Sequence, residues 1–238
     1  MKQFSRRGFL LASSAAAAGN FIAPTTASAI ADSDSPDAAK SGLATGLSKR
    51  LRHKSIPGFL SEEQIGLHHR AHYGGALRGY KAADKRLESS LVGGITIDSN
   101  EYGALQRSRS SKCNSVLLHE LYFDNMVPRR GDPTANIRRA IEKRFGSLDK
   151  WESDFQASAR NAAGWAMLIL HPVSGKLYNV VSDEHAAGPI WMSTPLLVID
   201  VYEHAFYVDY RNRKTEYIEK FMAHVDWQET GRRYAASV

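Results

Sequence analysis

The sequence predicts an α+β fold: an N-terminal α-helical hairpin domain followed by a C-terminal domain of helices packed on a small three-stranded antiparallel sheet. Three observations carry this. Apolar residues recur at helical spacing from Ser61 to Met126, broken once near Gly93. Apolar runs of strand length appear only from Trp165 onward, separated by turn residues. The helical pattern then returns after Tyr217. Helices first and a small sheet later is the α+β arrangement.

The chain opens on residues 1–29, with paired arginines in Ser5-Arg6-Arg7-Gly8-Phe9-Leu10, an Ala-rich run and Ala27-Ser28-Ala29. This is the basic, apolar and small-x-small order of a secretory signal. The paired arginines, followed by Gly8 and then Phe9-Leu10, resemble the twin-arginine export signal. The apolar run from Gly8 to Ala18 is too short to span a bilayer, so no membrane span is expected in the mature chain. The expected location is periplasmic, or otherwise exported by the twin-arginine pathway, which moves folded proteins and suits a cofactor loaded in the cytoplasm. Residues 30–57 are rich in Ala, Ser, Asp and Lys without apolar periodicity, and read as a disordered leader. The basic run Lys49–Lys54 lies within it.

Pro57-Gly58 ends the leader, and residues 58–130 form the helical hairpin domain. Ser61-Glu62-Glu63-Gln64 is an N-cap with acids in the first turn. The helix it opens carries Ile65, His68, His72 and Leu77, and runs to about Leu91. A second helix covers roughly Tyr102 to Met126, with Val116, His119, Leu121 and Tyr122 near one another in register. Residues 131–238 form an α/β C-terminal domain, which the motif described below marks as the metal-binding one. Pro133 starts a third helix through Ile137, Ile141 and Phe145, Gly146-Ser147 ends it, and Leu148 opens a fourth. Trp165–Leu170, Lys176–Ser182 and Leu196–Ile199 read as strands, with Pro172–Gly175 as the first turn. A helix after Tyr217 closes the chain.

Lys plus Arg number 31 against 25 for Asp plus Glu, a net charge of +6 over 238 residues. Removal of residues 1–29 takes Lys2, Arg6 and Arg7 and no acid, leaving +3. No aromatic residue interleaves the Lys49–Lys54 run, so the composition argues against a nucleic-acid partner. The lone Cys113 excludes an intramolecular disulfide framework and a multi-cysteine metal site. Nine histidines are the less ordinary number.

Chemistry concentrates in Asp200-Val201-Tyr202-Glu203-His204-Ala205-Phe206-Tyr207. On a helical turn, Asp200 and His204 would share one face, able to bind one metal. That spacing alone is common on ordinary helix surfaces. Its place directly after a buried strand is where sites gather.

This string resembles the signature of the iron/manganese superoxide dismutase family, in which the third position is usually Trp. Gly131-x-Pro133 through Phe145-Gly146-Ser147, Gly164-Trp165-Ala166, Thr194-Pro195-Leu196-Leu197 and Asn212-Arg213 followed by Tyr217-Ile218 resemble family segments in the same order. The resemblance covers roughly residues 57–236, and its C-terminal half is the more specific. It implies one Fe or Mn ion per chain, held by His68, His119, Asp200 and His204. It implies dismutation of superoxide to oxygen and hydrogen peroxide as that ion is alternately reduced and oxidised, and it implies a homodimer.

Further roles follow from the same resemblance. His185 would hydrogen-bond the solvent at the metal. Trp165 and Tyr122 would wall the pocket. Glu203 would meet His204 of the partner subunit, and Tyr207 would meet His72 of the partner subunit. The family's gateway tyrosine stands eight residues after the first ligand, where this chain has Ala76. Tyr80, one turn on, is the substitute. A frame shifted by one turn would make His72 the ligand and Tyr80 the gate, but would put Ala76 where the dimer-bridging histidine belongs. The changed gate leaves a second function open: a superoxide dismutase-like metal-binding or interaction protein with little turnover. A metal oxidase or peroxidase on the same scaffold is a third.

Overall fold

The computed structural model describes residues 40–187 and 190–238. The expected signal segment 1–29, and the leader as far as residue 39, lie outside the described residues.

Helix boundaries follow local chemistry. Helix α1 (Gly42–Thr45) is a single turn capped by Ser41. In α2 (Glu62–Leu67) the Ser61 hydroxyl accepts from Gln64 N, and Glu62 and Glu63 stand at the positive end of the dipole. The chain then widens into a π-helical turn, His68–Tyr73, where Gly74 N reaches His69 O five residues back. It resumes as α3 (Gly74–Leu91). The single helix expected from Ser61 to Leu91 is therefore interrupted where its histidines lie, as π turns often are at functional sites. Asp98 caps α4 (Ser99–Asp124), accepting from Asn100 N and Glu101 N, and α3 and α4 pack together as the expected hairpin.

Helix α5 (Ala135–Phe145) stops at Gly146, whose φ of +91° suits glycine. Ser147 then caps α6 (Leu148–Asn161). Three antiparallel strands follow: β1 (Trp165–His171), β2 (Lys176–Ser182) and β3 (Thr194–Asp200), in the order β2-β1-β3. Strand β1 is buried along almost its whole length, as a central strand must be. Strand β3 begins two residues earlier than expected. Pro195 is tolerated because β3 is an edge strand and the register shifts at Leu168/Ile169, opposite the proline. The register sets Trp165, at the start of β1, opposite Asp200, at the end of β3. A 3-10 turn (Glu203–Ala205) and α7 (Tyr207–Tyr210) follow β3. Two helices then close the chain, α8 (Lys214–Met222) and α9 (Trp227–Ala235), where one was expected.

The hairpin and the sheet are stitched together at the end of α4. Asn125 Oδ1 accepts from Val198 N at 2.9 Å, and Asn125 O accepts from Asp226 N at 2.7 Å. Trp151 packs against Phe155 and Trp227 in the core.

Residues 40–57 correct the expectation of a disordered leader from residue 40 onward. Ile56 is buried and bridges to Leu60. Lys49 pairs with Asp124, and Arg52 Nη1 lies 2.9 Å from Asp226. The basic run is thus partly neutralised by acids of the folded body. Low apolar content hid this, because polar contacts do most of the anchoring.

Candidate metal centre

Four side chains from both halves of the fold converge. His68 comes from the π turn, His119 from α4, Asp200 from the end of β3 and His204 from the 3-10 turn. Their ligand atoms all lie within 4.8 Å of one another. Asp200 Oδ2 is 3.1 Å from His68 Nε2, 3.2 Å from His204 Nε2 and 3.8 Å from His119 Nε2. Asp200 and His204 do not share a helical face, as the spacing had suggested. A strand end and a tight turn bring them together instead.

Two buried nitrogens in this cluster lack a hydrogen-bond partner of their own. His68 and His119 are 1% exposed and Asp200 is 0% exposed. Nε2 of both His68 and His119 is buried without a hydrogen-bond partner, the 3.1 Å approach to Asp200 lacking the alignment of one. Unsatisfied buried nitrogens cost about 1–3 kcal/mol each. Nitrogen and carboxylate donors at this spacing suit one Fe or Mn ion. His119 Nδ1 is 2.6 Å from Ser115 O, which assigns the proton to Nδ1 and leaves Nε2 free to ligate.

The electrostatics agree with neutral imidazoles around one carboxylate. Burial, with His68 nearby, pulls His119 down to about 3. Burial likewise lowers His68 against the opposing pull of Asp200. Burial opposes ionisation of Asp200, but contacts from His204 and His68 hold its carboxyl well below the ordinary range. Ligands already deprotonated near neutrality are what a cation needs.

The surrounding residues divide in two. Trp165 Nε1 donates to His185 Nδ1 at 3.0 Å, and the Trp165 ring stands edge-on to His119 at 5.2 Å. His185 itself is 6.3 Å from the His119 ring. Tyr122 lies 5.3 Å from the His68 ring, its hydroxyl 3.0 Å from that of Tyr217, which in turn donates to Asp200 O at 2.7 Å. These residues gather around the donors. His72, Glu203 and Tyr207 are exposed beside them. His72 stacks on His204 with ring centres 3.8 Å apart, and burial with His204 lowers it to about 4. It is the buried His68, not the exposed His72, that lies in the group of four.

Tyr80, the expected substitute for the gateway tyrosine, stands apart from the group of four. It lies twelve residues past His68, roughly 15–18 Å at 1.5 Å per helical residue. It lines a groove with Asp84, Arg109, Cys113 and Trp191. Ala76, at the expected gateway position, is buried in α3.

Two residues were missed in the sequence. Gln64 Nε2 donates to His204 O at 2.7 Å, and its Oε1 accepts from Val208 N at 3.0 Å, fixing the 3-10 turn to α2. A polar residue on the buried side of an amphipathic helix was the available signal. Tyr217 supports Asp200 through its hydroxyl. Nothing local in the sequence marks it, since a buried tyrosine in a helix ordinarily reads as core.

Comparison with known proteins supplies the family. Residues 133–233 match the model for iron/manganese superoxide dismutases, C-terminal domain. A superoxide dismutase [Mn] 2 of Haloferax volcanii is 36% identical over 180 residues, covering 75% of this chain and 89% of the relative. A superoxide dismutase [Fe] of Cupriavidus metallidurans is 33% identical, covering 75% and 90%. A superoxide dismutase [Fe] of Aquifex pyrophilus is 34% identical, covering 77% and 88%. With four metal-compatible donors converging where the signature motif meets the hairpin, and relatives of this identity matched over most of their length, the chain belongs to the iron/manganese superoxide dismutase family.

Proposed function

We propose that this chain is an exported, homodimeric enzyme that uses His68, His119, Asp200 and His204 to hold one Fe or Mn ion. Its reaction is the dismutation of superoxide. When bound, the ion supplies the one-electron chemistry by which two superoxide anions and two protons become oxygen and hydrogen peroxide. The observation that carries the reading is the pair of buried, unpartnered Nε2 atoms of His68 and His119 beside Asp200.

The residues of the chain then have distinct work. Asp200 supplies the one negative charge of the donor set, and three neutral imidazoles complete it, which leaves the centre cationic toward an anionic substrate. Trp165 donates to His185, which supports a role for the His185 ring in hydrogen-bonding solvent at the centre and in holding or passing a proton there. Tyr122 and Trp165 exclude bulk water from the donors. Glu203, Tyr207 and His72 lie exposed around His204, which supports a role for that face as the homodimer contact. The Arg6-Arg7 motif supports twin-arginine export, with a periplasmic or otherwise exported location. Among the described residues, no helix is long and apolar enough to cross a membrane.

Metal analysis and a superoxide assay on residues 30–238 test this reading. We expect about one equivalent of Fe or Mn per chain, with dismutation. Ala76 favours a second reading, a metal-loaded protein of little turnover, because position 76 carries no hydroxyl. Full metal content without dismutation would select it.

A further inference from the structure

The segment before the hairpin touches both helices that carry hairpin donors. Gly42 N donates to Glu120 Oε1 at 2.8 Å, and the Tyr73 hydroxyl donates to the same oxygen at 2.9 Å. Glu120 follows His119 on α4, and Tyr73 ends the π turn that His68 begins. The Tyr73 oxygen also accepts from Lys49 N at 2.8 Å, and the His69 ring Nε2 lies 2.7 Å from Lys49 O. Both backbone polar groups of Lys49 are therefore taken by the π turn. Arg52 Nη1 donates to Asp124 O at 3.0 Å, closing the segment onto the end of α4.

The junction admits little variation. A Cβ on Gly42 would meet the Tyr73 oxygen at 2.7 Å and Leu47 O at 2.9 Å, closer than real contacts allow. Tyr73 and Glu120 are buried, at 0% and 6% exposure. Packing alone does not call for a carboxylate here, since buried charge costs several kcal/mol unless fully bonded. Directional hydrogen bonds do what apolar packing does not: they fix the distance between the elements they join. The Tyr73 ring lies 6.3 Å from that of His119, so a shift at this junction passes directly to a donor.

We propose that Glu120 is a positioning residue for the metal centre, and that residues 42–52 are a clasp that, through Glu120 and Tyr73, sets the spacing of His68 and His119. The inference rests on the metal-centre reading above. Donor sets need placement to within about 0.5 Å, and loss of such supporting contacts costs ~10- to 100-fold in metal affinity.

The test uses the Mn-loaded protein and four variants: Tyr73→Phe, Gly42→Ala, Glu120→Gln and, as a control in α5 outside the clasp, Ile141→Val. Metal release to EDTA and the electron paramagnetic resonance spectrum are recorded with the melting temperature. Tyr73→Phe and Gly42→Ala should release Mn ~10- to 100-fold faster, with an altered spectrum. Glu120→Gln, which keeps an acceptor oxygen, should stay nearer the wild type. Ile141→Val should lower the melting temperature and leave release and spectrum unchanged. If the clasp variants behave as Ile141→Val does, the proposal is overturned. If Gly42→Ala does not fold, Tyr73→Phe decides, since it removes a single oxygen. A wild-type chain that binds no Mn or Fe would overturn the metal-centre reading itself.

Discussion

Trp165 holds His185 by one hydrogen bond, its indole N–H donating to His185 Nδ1 across 3.0 Å, while its ring edge abuts His119 at 5.2 Å. One side chain thus touches a donor and fixes the tautomer of the histidine beside the donors. Neutral His185, lowered by burial, carries its proton on Nε2. Trp165→Phe keeps most of the ring contact and removes the N–H. We expect metal content to stay near one equivalent and kcat/KM for superoxide to fall ~10- to 100-fold. Unchanged kcat/KM would remove His185 from proton handling.

Tyr217→Phe isolates the support of Asp200. The hydroxyl donates to Asp200 O at 2.7 Å and meets Tyr122 at 3.0 Å, all of it buried. Its loss leaves a carbonyl and a phenol without a partner, at a cost of about 1–3 kcal/mol. Urea unfolding of the metal-free protein measures this as a lowered midpoint with unchanged slope.

Gln64→Leu frees the 3-10 turn that carries His204. Two hydrogen bonds, to His204 O and from Val208 N, are lost from a buried position. The expected result is faster loss of metal to a chelator, with the helical circular dichroism signal retained. Wild-type metal retention in this variant would show that β3 alone holds the turn.

Metal-free protein should weaken in acid. His119 sits at about 3 in the fold and near 6.5 when unfolded, and His68 is lowered in the same direction. Between those values the unfolded chain binds the proton and the folded one does not, so stability falls as pH drops from 6.5. Each such histidine contributes up to about 1.4 kcal/mol per pH unit in that window. Asp200, lowered in the fold, adds a loss of the same sign below its unfolded value. Chemical denaturation at pH 7.5, 6 and 5 checks this. A midpoint that does not fall with pH would contradict the buried, neutral imidazoles.

Much of this was legible because side-chain type and spacing encode it. Asp200 and His204 stand in a motif, and the three strands are apolar runs between turn residues. His119 was legible only through resemblance, and the structure gives it a reason in Ser115. Other parts depend on backbone geometry that residue types do not spell out. The π turn at His68–Tyr73 has ordinary helix-compatible residues, and only its i→i+5 bonding marks it. Because twelve helical residues separate Tyr80 from His68, the donors are beyond its reach. Residues 42–52 fold onto the hairpin through Glu120 and Tyr73, partners distant in sequence with no apolar pattern to announce them.

His119→Ala tests most directly whether the four convergent side chains hold one redox metal for superoxide dismutation. Metal content and superoxide consumption are measured together on wild type and variant. Wild type should carry about one Fe or Mn and turn over, and the variant should lose both while keeping its fold. Full metal content and full dismutation in His119→Ala would contradict the account.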